Sequence, residues 1–219
     1  MDDDVWVSKN WAKNISNIYK DSNILCAGGG VIMTNIGIIK DKKWLSTYFL
    51  RFLFPVEFPN RTGQIIAPYY LVGANISFRK DVFEKYGFFD KRLGRIANKL
   101  LSCEDTELIA RLPRENIFFV KDVEVYGEID KKRLSKKYML KRLYWQGYSD
   151  FIFVQRVGMD RFFDRDEIEF GWNFLKFAIS KFSHRKFFEF FCILARCIGF
   201  YISKIKNESK FYLLSSHPG

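Results

Sequence analysis

Gly73-Ala74-Asn75-Ile76-Ser77-Phe78-Arg79-Lys80-Asp81-Val82-Phe83 begins the stretch on which the fold turns. It continues through Gly87-Phe88-Phe89-Asp90-Lys91-Arg92-Leu93-Gly94 to Glu104-Asp105-Thr106-Glu107-Leu108-Ile109-Ala110-Arg111-Leu112. Tyr69-Tyr70-Leu71-Val72 reads as a strand, and the small residues 73–75 as the turn at its end, where backbone can pass close to another group. Lys80 to Tyr86 reads as a helix closed by Gly87, because a C-cap favours a residue that tolerates positive φ. A turn at Asp90 and a basic loop, Lys91 to Lys99, come next. Ser102 and Asp105 have the spacing of a capping box, ahead of a helix whose apolar face is Leu108, Ile109 and Leu112.

Upstream, Met1-Asp2-Asp3-Asp4 runs directly into Val5-Trp6-Val7, a helical stretch from Trp11 to Tyr19, and a short buried strand, Asn23 to Ala27, stopped by Gly28-Gly29-Gly30. Val31 to Phe58 reads as an irregular, aromatic excursion with one helical piece around Leu45 to Phe54. Downstream, Asn116 to Val120 and Val123 to Tyr126 read as strands, and Lys131 to Gly147 as a strongly basic helix. This alternation predicts an α/β domain with an open sheet over residues 1–150.

From about Phe151 to the end, 151–219, only helical patterns remain. Ile168, Trp172, Leu175, Ile179 and Phe182 form one apolar face. Phe187 to Ile202 is almost wholly apolar, with a thin polar stripe of Glu189, Arg196 and Ser203 spaced seven apart. That stretch rises only about 24 Å, short of the roughly 30 Å hydrocarbon core, so a simple span is disfavoured. Basic residues flank it: Lys181, His184, Arg185 and Lys186 before, Lys204, Lys206 and Lys210 after. The expectation is a helix lying in a membrane interface, with packing on the α/β domain or on a partner subunit as the alternative.

Composition sets the bounds. Of 219 residues 48% are hydrophobic and 18% aromatic, which excludes a disordered, collagenous or disulfide-scaffold chain. The net charge of +11 favours an anionic partner: a nucleotide, a phospholipid surface or a nucleic acid. With His184 and His217 the only histidines, a Ser-His-Asp triad or a multi-His zinc centre is improbable, and acid–base work falls to carboxylates. Cys26, Cys103, Cys192 and Cys197 lack metal spacing and read as reduced thiols of the interior. Gly28-Gly29-Gly30 is followed by Val31-Ile32-Met33, so neither a P-loop nor a dinucleotide fingerprint is present.

Three groups of residues could carry chemistry, and each alone has a bland explanation. Asp2-Asp3-Asp4 could be a solvated lead-in, yet close carboxylates also suit a divalent cation that shares its coordination with phosphate. Glu104-Asp105 stabilises the first turn of a helix, a role that one acid fills; the second is available to accept a proton from an attacking hydroxyl. Gly73-Ala74-Asn75 is a strand-end turn, or a place where backbone approaches a sugar.

Taken in order, these pieces resemble the second half of a family-2 glycosyltransferase of the GT-A fold, over about Asp2 to Ser149. The fold class expected from this resemblance is a partial GT-A α/β sheet with flanking helices, followed by a helical appendage. The resemblance implies inverting transfer of a sugar from a nucleotide-diphospho-sugar to a hydroxyl of a glycan or lipid-linked acceptor. It implies Asp2 and Asp4 on the metal-binding Asp-x-Asp motif, with Asp4 a direct ligand of Mg²⁺ or Mn²⁺ and Asp2 reaching the donor. Asp105 falls on the general base with Glu104 beside it. Gly73, Ala74 and Asn75 fall on the cleft lining, and Arg142 and Trp145, in Arg142-Leu-Tyr-Trp-Gln-Gly-Tyr-Ser149, on the region beyond the catalytic block. The implied location is cytoplasmic, peripheral at the inner face of the membrane.

Two departures stand against that pattern. Nothing precedes Asp-x-Asp here, where relatives place the strands that cradle the nucleoside, so a truncated form with little turnover of its own is expected. Gly127, in Tyr126-Gly127-Glu128, stands where many relatives place a metal-contacting histidine. Rival readings are a nucleic-acid module built on Lys131, Lys132, Arg133, Lys136, Lys137, Lys141 and Arg142 with interleaved Tyr138, Tyr144 and Trp145, and a non-catalytic subunit complemented in trans. Nucleic acid is the weaker, since no recognised binding motif accompanies the basic run.

Overall fold

The computed structural model describes residues 4–54, 58–66, 70–158 and 184–215. It is a mixed α/β structure with two small sheets, and the chain divides into two compact units: Met1–Asp90 with Glu104–Leu134, and Lys91–Cys103 with Ser135–Gly219.

Both sheets belong to the first unit. One has the order β1-β7-β3, where β1 is Val5–Val7, β3 Val31–Met33 and β7 Val125–Gly127; β7 runs antiparallel to β1 and parallel to β3. The other has the order β4-β6-β2-β5, with β2 Cys26–Gly28, β4 Gly63–Gln64, β5 Ile76–Phe78 and β6 Ile117–Phe119. Its central pair, β2 and β6, is parallel, and its edges are antiparallel. Helices α1 (Trp11–Ile18), α2 (Thr47–Leu50), α3 (Asp81–Tyr86) and α4 (Glu104–Arg111) complete the unit. Leu108, Ile109 and Leu112 bury the apolar face of α4 with Cys26, Val82, Ile117 and Phe119, so the periodicity read from the sequence is the one that packs. Helix α3 ends at Gly87 with φ of 81°, as its C-cap role requires.

Several local expectations are corrected. The glycine run does end the strand, and it does more: Gly28 is the last residue of β2, and the chain resumes as β3 after Gly29 and Gly30. Glycine is demanded there by space, because a Cβ on Gly28 would run into the Asn75 carbonyl and one on Gly29 into that of Val123. The run is thus the crossing from one sheet to the other. Tyr70, Leu71 and Val72 are not a strand; Gly73–Asn75 forms a 3-10 turn and the strand follows it as β5. The capping box at Ser102 does not form. Cys103 adopts a φ of 74°, and the Ser102 hydroxyl donates instead to Gln146 Oε1 at 3.0 Å.

The second unit is dominated by two long helices, α5 (Lys136–Val157) and α6 (His184–Ser215). α5 passes without interruption through residue 150, where the sequence reading drew its boundary. Its start is capped, the Ser135 hydroxyl accepting from the Tyr138 amide. The two helices touch backbone to backbone at two glycines: a Cβ on Gly147 would meet the Arg196 carbonyl, and one on Gly199 the Tyr144 carbonyl. The amphipathic helix expected over 168–182 lies outside the described residues. No described helix is long and apolar enough to cross a membrane.

Candidate active site

Asp105 stands in the first turn of α4, half-buried. Its Oδ1 accepts from the Thr106 amide at 2.7 Å and the Thr106 hydroxyl at 3.2 Å. Its Oδ2 is turned toward Gly73, where a Cβ would fall only 2.8 Å from it. One oxygen is therefore fixed by local bonds while the other lies along the small-residue turn. The same carboxylate makes itself felt on β2, for the Cys26 thiol is held well above its ordinary range by burial first and by the Asp105 charge second. Glu104 is half-buried beside it. Two segments some thirty residues apart, Gly73 and Asp105, are thus brought together.

Asn75 has a different place. It is fully buried; its amide donates to the carbonyls of Gly30 and Val123, both at 2.8 Å, and its Oδ1 accepts from the Trp11 indole at 2.9 Å. Its backbone carbonyl accepts from the Gly29 amide at 3.3 Å. The side chain has both amide hydrogens and its oxygen engaged inside the protein, and it ties the turn to the glycine crossing, to the loop before β7 and to α1. Ala74 shares that 3-10 turn, so Asn75 fixes the backbone on which Gly73 presents itself.

Three residues of the motif block turn out to be clamps. Arg79 donates to the carbonyls of Ile24, Tyr19 and Asp21 and stacks over the Tyr19 ring, tying the exit of α1 to the start of β2. Glu107, wholly buried, pairs with Arg111 at 2.8 Å, and Arg111 in turn donates to the carbonyls of Tyr86 and Phe88. These bonds anchor α4 against the end of α3, and so hold Asp105 from below. A buried glutamate four residues from an arginine on one helix was the available sequence signal for this pair.

Asp4 is exposed and immediately precedes β1, and Asp2 lies outside the described residues. The register pairs Val5 with Gly127 and Gly127 with Met33, so position 127 does sit beside the Asp4 backbone. Among the described residues no three Cys, His, Asp or Glu side chains gather as a cation site. Asp4 offers a carboxylate, the hard oxygen ligand that Mg²⁺ or Mn²⁺ takes.

Arg142 and Trp145 belong to α5 in the second unit. Arg142 donates to the Ser102 hydroxyl at 3.3 Å, and burial lowers its pKa. Trp145 packs between Tyr144 and Tyr148 with Lys99 over its ring. Near them lies a polar network that sequence reasoning missed. Gln146 donates to Asp150 Oδ1 at 2.7 Å and to Cys103 Sγ at 3.1 Å, and Arg196 Nε bonds Asp150 Oδ2 at 2.6 Å. Asp150 and Arg196 are buried. The Cys103 thiol is pushed up to about 12 by burial, with the Asp150 charge adding to it. All four cysteines are free thiols.

No protein-family model matches the chain and no solved structure matches it. Among curated proteins it is similar to the glucosyl-dolichyl phosphate glucuronosyltransferase of Haloferax volcanii, with 24% identity over 153 residues. That match takes in 68% of this chain and 48% of the relative, so the chain spans about half the length of the protein it matches. The likeness supports a relation to glycosyltransferases.

Proposed function

We propose that the chain forms part of an inverting glycosyltransferase of the family-2, GT-A kind, in which Asp105 is the general base. The observation that carries the reading is the Asp105 carboxylate lying along Gly73, with Oδ1 held by Thr106 and Oδ2 directed to the small-residue turn. The relative with a glycosyltransferase name supports it independently.

In this reading the acceptor hydroxyl lies beside Gly73, whose missing side chain leaves room for a sugar ring. Asp105 Oδ2 takes the hydroxyl proton as the oxygen forms its bond to the anomeric carbon. The bond from that carbon to the diphosphate oxygen breaks on the opposite face, so the anomeric configuration inverts and the nucleoside diphosphate leaves with the electron pair. Glu104 stands beside it in the first turn of α4. Asn75, Arg79, Glu107 and Arg111 are positioning residues, since they hold the turn and α4 in place without offering atoms to a ligand.

The donor in this proposal is a nucleotide-diphospho-sugar and the acceptor a glycan or a lipid-linked sugar. Asp4, with Asp2, would hold Mg²⁺ or Mn²⁺, which supplies positive charge against the diphosphate as it departs. A screen of radiolabelled nucleotide-diphospho-sugars with glycan and polyprenyl-linked acceptors, with product configuration read by NMR, tests the reading. Transfer with inversion is expected; transfer with retention of configuration would overturn it.

A further inference from the structure

Helix α6 is arranged inside out. Its stripe of polar and small residues, Cys192, Arg196, Gly199 and Ser203, is buried, and Arg196 pairs there with Asp150 of α5. Phe200 joins that buried side against Phe151, but five other large apolar residues point the other way: Phe187, Phe191, Ile198, Tyr201 and Ile205 are each between 41% and 62% exposed. At about 100° per residue these five fall within an arc of roughly 80°, opposite the buried stripe. The sequence pattern had shown the stripe but not which way it faced. A soluble helix buries the other face.

Charge is divided with equal sharpness. The unit that carries α6, residues 91–103 with 135–219, holds 19 Lys and Arg against 8 Asp and Glu, a balance of +11. The first unit holds 17 of each and has no net charge. The whole excess therefore belongs to the unit with the outward apolar helix, and exposed Lys204 and Lys206 flank the end of the apolar row beside Ile205.

We propose that the outward face of α6 lies in the surface of an anionic phospholipid bilayer, with the helix axis along the membrane. An apolar row at least five residues long and a strongly cationic unit is the combination that enters the headgroup region; nucleic acid would be served by the charge and not by the row. The described helix has no segment apolar enough to cross, which fits a helix that lies on the surface. The inference rests on the second unit alone and stands apart from the transfer reading.

The test is co-flotation of the full chain with vesicles of phosphatidylcholine alone and of phosphatidylcholine with about one third phosphatidylglycerol. Binding to the anionic vesicles is expected, weakening as salt is raised. Ile198→Ser with Ile205→Ser should lower partitioning about a hundredfold, each isoleucine giving about tenfold. Lys204→Gln with Lys206→Gln should lower it on anionic vesicles only. Circular dichroism checks the fold of each variant, and these side chains are exposed, so folding should persist. Equal binding of wild type and the double serine variant overturns the proposal. So does a stable dimer that the serine substitutions dissociate in the absence of vesicles, or binding to single-stranded RNA with none to anionic vesicles.

Discussion

Asn75→Ala is expected to destabilise the first unit by about 3 kcal/mol. The side chain makes three hydrogen bonds of 2.8 to 2.9 Å in a fully buried position, joining α1, the glycine crossing and the loop before β7. Each such bond contributes about 1 kcal/mol net, and truncation also strands the Trp11 indole and the Val123 carbonyl, while the Gly30 carbonyl keeps the Val125 amide. Asn75→Asp has the same shape and a worse outcome at neutral pH, because a carboxylate oxygen then faces two carbonyl oxygens. Burial and those carbonyls raise the pKa of the new carboxyl in the folded state above its unfolded value. The folded variant therefore loses stability as pH rises past the ordinary aspartate range and regains it on acidification, when the proton can bridge to one carbonyl. Urea unfolding followed by tryptophan fluorescence measures both, at pH 7.5 and pH 5. If Asn75→Ala unfolds within about 0.5 kcal/mol of wild type, the buried network is not what holds the turn and the positioning role assigned to Asn75 fails.

Three further outcomes follow from the same geometry. Gly73→Ala must displace Asp105 Oδ2 from 2.8 Å to ordinary contact, a shift of about half an ångström; kcat should fall by one to two orders of magnitude with donor binding nearly unchanged. Arg196→Met leaves Asp150 buried without its cation and should cost about 3 to 5 kcal/mol in urea unfolding, while Asp150→Leu with Arg196→Met should recover most of it. Cys103, held at about 12, should react with iodoacetamide at pH 8 far more slowly than a free thiol, and the stability its neutral form supplies should be present below the ordinary thiol range and fade as pH rises toward 12, which alkaline unfolding would record.

Much of the site's local architecture was legible because its signals are periodic or positional. The i, i+1, i+4 apolar pattern of Leu108, Ile109 and Leu112 could pack only one way, and Gly87 ended its helix where a positive φ was needed. The proximity of Gly73 to Asp105 was legible only through the resemblance, since no local rule joins residues so far apart. What escaped reading was decided by tertiary space. Gly28 and Gly29 read as a stop, and β2 does end there, but that they also cross to the other sheet was not legible, because the carbonyls that exclude a side chain there come from residues 75 and 123. Tyr70 to Val72 has strand composition, yet the strand forms one turn later, where β2 offers a partner for Ile76 to Phe78. Ser102 has the residue type and spacing of a cap and spends its hydroxyl on Gln146, a partner in α5. The polar stripe of α6 was visible at its spacing of seven, but its inward direction depends on Asp150, which composition gave no reason to couple to Arg196.

The central claim, that Asp105 takes the proton from the attacking hydroxyl, is tested most directly by Asp105→Asn with turnover and donor binding measured side by side. Loss of the base while the amide keeps the shape should lower kcat by at least about a hundredfold with the donor Kd unchanged. Sugar transfer by Asp105→Asn at a rate close to wild type would contradict it.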